Sequence, residues 1–395
     1  MNKNLLFLIK ILLYIPKLVE RFISIINISE KKNREKYIFY DKTNIFFSDA
    51  GTGIQRVANK VRNEIQNVSS DYRIVDVYSK KNKGYFYCDN GKKIRVQNGD
   101  IFLGVDCAFS TLHSNKFYLD VIYKKKVKIF FVLYDLIPLK FPEYAISKEF
   151  TKLFYQWLKD IVQFTGIIAD SNAVLEELKN FLAEEKIQHN NHLKLDYVHL
   201  GSDITDTAIG MDVGREIENK DTPTFLMVST VEPRKKYDQV IKAFNILWKK
   251  KVNVKLEIVG RPGWRNEDTI ALLENNEYLN QYFFWYKSGI SDEKLVELYK
   301  ACDAVIFASL SEGFGLALVE AAYYKKPLIV RDIPVFREIA KDSAFYFDTL
   351  SEDVLAQKII EWLELYKNDK APVSNIEALT WNDCAQNIYN IITKE

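Results

Sequence analysis

Two glutamates, Glu312 and Glu320, stand eight positions apart around Gly313-Phe314-Gly315 in the stretch SLSEGFGLALVEAAYYKKP, residues 309–327. The apolar run 304–308 before them reads as a buried strand. Leu316, Leu318, Val319, Ala321 and Ala322 after them read as a helix. Such a strand-to-helix switch collects backbone N–H groups that lack partners within the helix, and ionised carboxylates beside them accept hydroxyl hydrogens. The combination suits a ligand that carries both phosphate and hydroxyl groups. Helix-terminal capping is the competing use of either glutamate.

Three further strand ends carry candidate chemistry. After the apolar run 224–229 comes Glu232-Pro233-Arg234-Lys235-Lys236, and a helical pattern follows. Cations there suit a diphosphate, although a basic loop can also simply be solvated. Gly51-Thr52-Gly53 follows the first strand pattern and would let the backbone approach a ligand closely, or serve as a plain turn. It is not GxGxxG, and no acidic residue stands where a nicotinamide ribose would require one. Asp135 ends the run VLYD ahead of Pro138 and Pro142, facing a cleft or bonding its own loop. The turn VGRPGW at 259–264 reads as structural.

The elements that must position these residues alternate between strand and helix patterns. Strand patterns fall at 37–47, 72–78, 101–106, 128–134, 166–170 and 196–200, with a hairpin at 85–96 around Asn90-Gly91. Helical spacing covers 53–66, 148–163 and 173–186. A second series runs 224–229, 237–249, 255–259, 268–275, 283–286, 291–302, 304–308, 316–324, 327–330 and 354–366. Alternation of this kind predicts α/β architecture with parallel sheets covered by helices. The chain of 395 residues exceeds one ordinary core. The division expected is an amphipathic segment at 1–36, a first domain at 37–205, a polar linker at 206–223, a second domain at 224–375 and a helix within 376–395 packing back on the first domain.

Composition narrows the function classes. A net charge of +2 gives no footprint for nucleic acid. The four cysteines are scattered and the four histidines form no metal-binding spacing, so no metal site is expected. Residues 1–36 carry eight Lys/Arg against three Glu, and 5–15 is apolar apart from Lys10. Eleven residues are too few to span a bilayer, but a basic amphipathic segment can lie on an anionic membrane. Residues 1–30 are therefore a candidate membrane-surface contact, with packing on the first domain as the alternative.

Taken together, the Glu312–Glu320 element, EPRK at 232–235, TGIQRV at 52–57, YDLIP at 134–138, SDEKLVELYKACDAVIFAS at 291–309 and DIPVFREIA at 332–340 resemble the retaining, nucleotide-sugar-dependent "group 1" (family four) glycosyltransferases. The resemblance covers roughly residues 37 to 390. It implies the GT-B fold, with two doubly wound Rossmann-like domains facing a central cleft. It also implies a nucleotide-sugar co-substrate, no cofactor, and a saccharide or lipid-linked acceptor on the cytoplasmic side. Similar chains build bacterial surface polysaccharide, often from GDP-mannose; a UDP-sugar donor or an inactive transferase-like partner protein remains open. By position, Glu312 would face the donor sugar, with Asp135 in the catalytic cleft, and Lys235 with Arg234 would meet the diphosphate. Gly53, Gly313, Phe314, Gly315 and Leu316 would line the donor, and Glu320 would hold the ribose. Tyr134 stands where many relatives have histidine, and Lys325-Lys326 where a glycine turn is common.

Overall fold

The computed structural model describes residues 35–48, 52–80, 86–107, 109–204 and 222–394. The segment 1–34 and most of the expected linker lie outside the described residues.

Two sheets organise the chain. The first has strands β1 (Lys36–Asp41), β2 (Tyr72–Ser79), β3 (Phe86–Cys88), β4 (Ile101–Gly104), β5 (Lys128–Leu133), β6 (Gly166–Ala169) and β7 (Lys194–Tyr197), in the order β3-β2-β1-β4-β5-β6-β7. Only the β2–β3 pair is antiparallel. The second has β8 (Thr224–Val228), β9 (Lys255–Val259), β10 (Phe283–Tyr286), β11 (Ala304–Phe307), β12 (Leu328–Arg331) and β13 (Phe345–Phe347), in the order β10-β9-β8-β11-β12-β13 and parallel throughout. β4, β6, β11 and β12 are buried at every residue. Buried runs of this kind, apolar apart from Arg331 at the end of β12, are what helices on both sheet faces require.

Strand order reverses between β1 and β4 in the first sheet and between β8 and β11 in the second. Crevices open at the carboxyl ends of strands at such points. The loops leaving β8 and β11 are the basic loop and the glutamate loop, so topology alone brings Arg234, Lys235 and Glu312 to one place.

The strand expected over 37–47 is corrected: it stops at Asp41, and Thr43–Phe47 is a short helix. The Asp41 carboxylate accepts the Thr43 N–H at 3.1 Å and also its hydroxyl. From β4, Asp106 accepts the N–H groups of Asn44 and Ile45. Those carboxylates satisfy the orphan donors of a helix start, overriding the apolar pattern of Ile45-Phe46-Phe47. The helices Phe109–Lys124 and Pro334–Ala340 and strand β13 were not legible in the sequence.

The final helix, Trp381–Thr393, packs on Gly53–Val68 of the first lobe, where Ile388 and Ile392 share a core with Val61 and Ile65. Trp381 anchors it: its N–H donates to the Asp203 carboxylate at 2.8 Å and its Nε1–H to the Asp203 carbonyl at 3.0 Å. A Cβ on Gly201 would come within 2.6 Å of Trp381, so the backbone approach is as close as glycine permits. Replacing Trp381 by alanine should lower unfolding free energy by about 3–5 kcal/mol in urea titrations. An unchanged midpoint would mean that this helix is no part of the first lobe's core.

Candidate functional site

Between the lobes lies a cavity of about 560 Å³, within the range of small-ligand sites. All ten sequence-derived candidates line it: Gly53, Asp135, Arg234, Lys235, Glu312, Gly313, Phe314, Gly315, Leu316 and Glu320.

At its floor the two switch-point loops of the second lobe are joined by charge. Arg234 Nη1 donates to the Glu312 carboxylate at 2.9 Å and to the Ser311 carbonyl at 2.7 Å, and its Nε donates to Glu232 at 3.2 Å. Lys235 Nζ pairs with the other Glu312 oxygen. The Leu310 N–H closes the junction on the Arg234 carbonyl at 2.9 Å. Burial pushes the Glu312 carboxyl up, but Lys235 and Arg234 outweigh it and hold it near 2. Lys235 is itself pushed down, by burial and then by Arg234, against the pull of Glu312. Both cations expected to face a diphosphate are thus held by Glu312.

Beyond Glu312 the loop turns into the helix Leu316–Tyr323. Gly315 precedes it at φ +89°, left-handed backbone that glycine adopts without strain. No side chain caps this helix start, and its first two residues, Leu316 and Ala317, line the cavity. Gly313 has a different reason to be glycine. A Cβ there would lie 1.7 Å from the Tyr134 carbonyl oxygen of the first lobe, and the Gly313 carbonyl accepts the Ser171 hydroxyl at 2.7 Å.

Glu320 is buried on the same helix. Tyr299 donates to one of its oxygens at 3.1 Å, and Arg56, from the first lobe, donates to the other at 3.0 Å. Burial dominates and raises its carboxyl to about 7, although Arg56 and Tyr299 act in the opposite direction. Arg56 also reaches Asp292 at 3.4 Å. On the far side of the cleft, Glu338 of the second lobe accepts the N–H groups of Asn172 and Ala173 at 2.8 and 2.7 Å, capping a first-lobe helix, and meets His199 at 2.6 Å. Trp264 donates to the Tyr144 carbonyl at 2.9 Å. The two lobes are therefore closed on each other around the cavity.

On the first lobe, Thr52 and Gln55 form a capping box that starts the helix at Gly53. A Cβ on Gly53 would meet nothing within 4 Å, so the space beside it is open. Asp135 accepts the Ile137 N–H at 3.0 Å, and burial raises its carboxyl against the opposing charge of Arg234. The loop-bonding alternative for Asp135 is thus realised together with its place in the cavity. Tyr134 gives its hydroxyl to the Val105 carbonyl at 2.9 Å. Arg56 and Glu338 were within motifs read from the sequence, but their partners 264 and 166 positions away were not readable. Among the described residues no group of three or more His, Cys, Asp or Glu side chains is placed to hold a metal ion.

Residues 212–378 match the family model described as "Glycosyl transferases group 1". The chain is 33% identical over 377 residues to the serotype-specific mannosyltransferase WbdA of Escherichia coli, a match covering 90% of this chain and 46% of that protein. It is 24% identical over 220 residues to the O-antigen chain mannosyltransferase RfbU of Salmonella typhimurium, covering 54% and 55% respectively. The chain spans about half the length of these curated relatives. Among solved structures it is similar to HepE of Anabaena, with a TM-score of 0.59, 15% identity and coverage of 91% and 95%. Sucrose-phosphate synthase of Thermosynechococcus elongatus is similar at 0.58, 13% identity and coverage of 91% and 96%. The architecture is GT-B, and residues 212–378 belong to the group 1 glycosyltransferase family.

Gly313→Ala should force the lobes apart, because the added Cβ overlaps the Tyr134 carbonyl. Small-angle scattering should then report a larger radius of gyration for the variant than for wild type. An identical radius would show that the loop, not the lobe seam, absorbs the methyl group.

Proposed function

We propose that this protein is a retaining hexosyltransferase that moves mannose from GDP-mannose to a saccharide or lipid-linked saccharide in bacterial surface polysaccharide synthesis. The observation that carries the chemistry is the junction of Arg234, Lys235 and Glu312 beside the uncapped helix start at Gly315, inside the interlobe cavity. The choice of mannose rests on likeness to mannosyltransferases over nine-tenths of the chain.

In this reading the β-phosphate packs against the first-turn N–H groups after Gly315 and draws Lys235 and Arg234 to itself. As the bond from C1 to the phosphate oxygen breaks, that oxygen gains negative charge. Two cations and a helix start stabilise it without a metal ion or cofactor. The acceptor oxygen forms its bond to C1 on the face the phosphate leaves, and its proton passes to the departing phosphate oxygen. Glu312 orients the sugar and offsets positive charge at C1. Glu320 accepts the ribose hydroxyls, which requires Arg56 to give up its bond to that carboxylate. Gly53 leaves room for the phosphate on the first-lobe side, and Asp135 fixes the loop that faces the acceptor. Residues 1–30 would hold the protein on the anionic cytoplasmic membrane surface, which partitioning of full-length and truncated chains onto anionic vesicles checks.

Purified protein given GDP-mannose, UDP-glucose or UDP-N-acetylglucosamine with mannoside acceptors separates the alternatives. The expected outcome is transfer from GDP-mannose in the presence of EDTA, with an α-linked product by proton NMR. Lys235→Ala should reduce kcat/KM by about 10²–10³. Transfer only from UDP-sugars would replace the donor. A β-linked product would overturn retention, and nucleotide binding without turnover of any donor would favour a non-catalytic partner protein.

A further inference from the structure

A buried carboxyl group in the cleft has no role in the reading above. Asp170 follows β6 and is 3% exposed. It lines the interlobe cavity, yet its Oδ1 makes no hydrogen bond to any described group. Its Oδ2 lies 3.1 Å from where a Gly313 Cβ would be, hard against the loop that carries Glu312. The next residue, Ser171, is fully engaged: its hydroxyl donates to the Gly313 carbonyl and accepts the Val174 N–H.

An unpaired carboxyl buried away from water is costly, and native interiors avoid it unless something else fills the vacancy. No basic side chain approaches within ion-pairing distance of Asp170 among the described residues. The surrounding charges are of its own sign. Burial, followed by the Asp135 charge and then those of Glu338 and Glu312, pushes the carboxyl well above its ordinary range against the opposing effect of its own backbone N–H. Its unpartnered oxygen can accept a hydroxyl hydrogen, and the carboxyl can donate one when it is protonated. That is the profile of a partner for a sugar hydroxyl, and a poor one for a phosphate or a cation.

We infer that Asp170 binds a hydroxyl of the acceptor sugar and is a specificity-determining residue for the acceptor. The inference rests on the glycosyltransferase reading proposed above. The acceptor is favoured over the donor because Asp170 belongs to the first lobe. The cations, the uncapped helix start and Glu320, which would take the donor's phosphates and ribose, all belong to the second. Asp170 reaches the cavity beside Tyr134 and Asp135, at the ends of neighbouring first-sheet strands. A site built to bond a hydroxyl rejects analogues that lack it, because its own buried polar group is then left unpaired.

The test uses the full chain with methyl α-mannoside and its four monodeoxy analogues as acceptors, and compares wild type with Asp170→Asn and Asp170→Ala. For wild type, the analogue that lacks the attacking hydroxyl should give no transfer, and one of the remaining three should be far poorer than the other two. Asp170→Ala should raise the acceptor KM by about tenfold, the scale of one lost hydrogen bond to a buried group. It should leave the donor KM unchanged, and the penalty on that one analogue should vanish. Asp170→Asn, which can still donate and accept, should recover part of the acceptor affinity. Thermal unfolding of both variants should match or exceed wild type, since the carboxyl removed makes no internal bond at Oδ1.

An unchanged analogue penalty in Asp170→Ala would overturn the inference, and so would unchanged kinetics in both variants, which would leave only a buried water at this oxygen. A fall in unfolding temperature with equal losses for all acceptors would overturn it in favour of a structural role. A rise in donor KM alone would assign the hydroxyl to the donor instead. No transfer by wild type from any donor would count against the glycosyltransferase reading itself, a result distinct from all of these.

Discussion

The junction of Glu312 with Arg234 and Lys235 is the constraint on which the site depends. It ties together the loops leaving two adjacent central strands, β8 and β11, and it does so out of bulk water. Burying one carboxylate with two cations is tolerable only when the geometry is good and every remaining polar atom is used. Arg234 meets part of that demand, for it also binds the Ser311 carbonyl and Glu232. Removing one member of such a buried group leaves an uncompensated charge, a loss of about 3–5 kcal/mol. A polyanion entering the cavity can offer the same two cations a second partner. Charge stored in this way is positioned before the ligand arrives, the arrangement that stabilises a departing phosphate most effectively.

Closure of the lobes follows from interactions of the same type on both flanks of the cleft. Glu338 ends a first-lobe helix with its carboxylate, where helix N–H groups and the local dipole favour negative charge. Arg56 crosses from the first lobe to Glu320. Between them, Gly313 and Tyr134 meet at a distance that only glycine permits. A ligand that uses Glu320 must compete with Arg56 for that carboxylate. The flank held by Glu338, His199 and Trp264 need not break at the same time.

Much of this was legible in the chain because the informative signals are local. A continuous apolar run such as 304–307 marks a central parallel strand, and the residues that follow it mark the cleft. The helix 237–249 was read to its end residues from its spacing alone. What failed has a common physical cause. Ile45-Phe46-Phe47 continues an apolar strand pattern, but Asp106, 61 positions from Ile45, caps a helix there. Arg56–Glu320 and Glu338–Asn172 join residues of different lobes, and no periodicity encodes such pairs. Lys325 takes φ +54°, left-handed backbone that glycine usually supplies, so this turn forms without the residue that usually signals it. Asp170 looked like the ordinary end of a strand, and only its missing partner sets it apart.

Calorimetric titration of free GDP into wild type and Glu312→Gln tests the central interaction most directly. If the diphosphate takes over the two cations that Glu312 holds, the neutral amide should free them, and GDP should bind about tenfold tighter, or 1.4 kcal/mol, while turnover falls. Weaker GDP binding by Glu312→Gln, in step with its loss of turnover, would contradict this and make Glu312 a scaffold for the cations instead of their competitor.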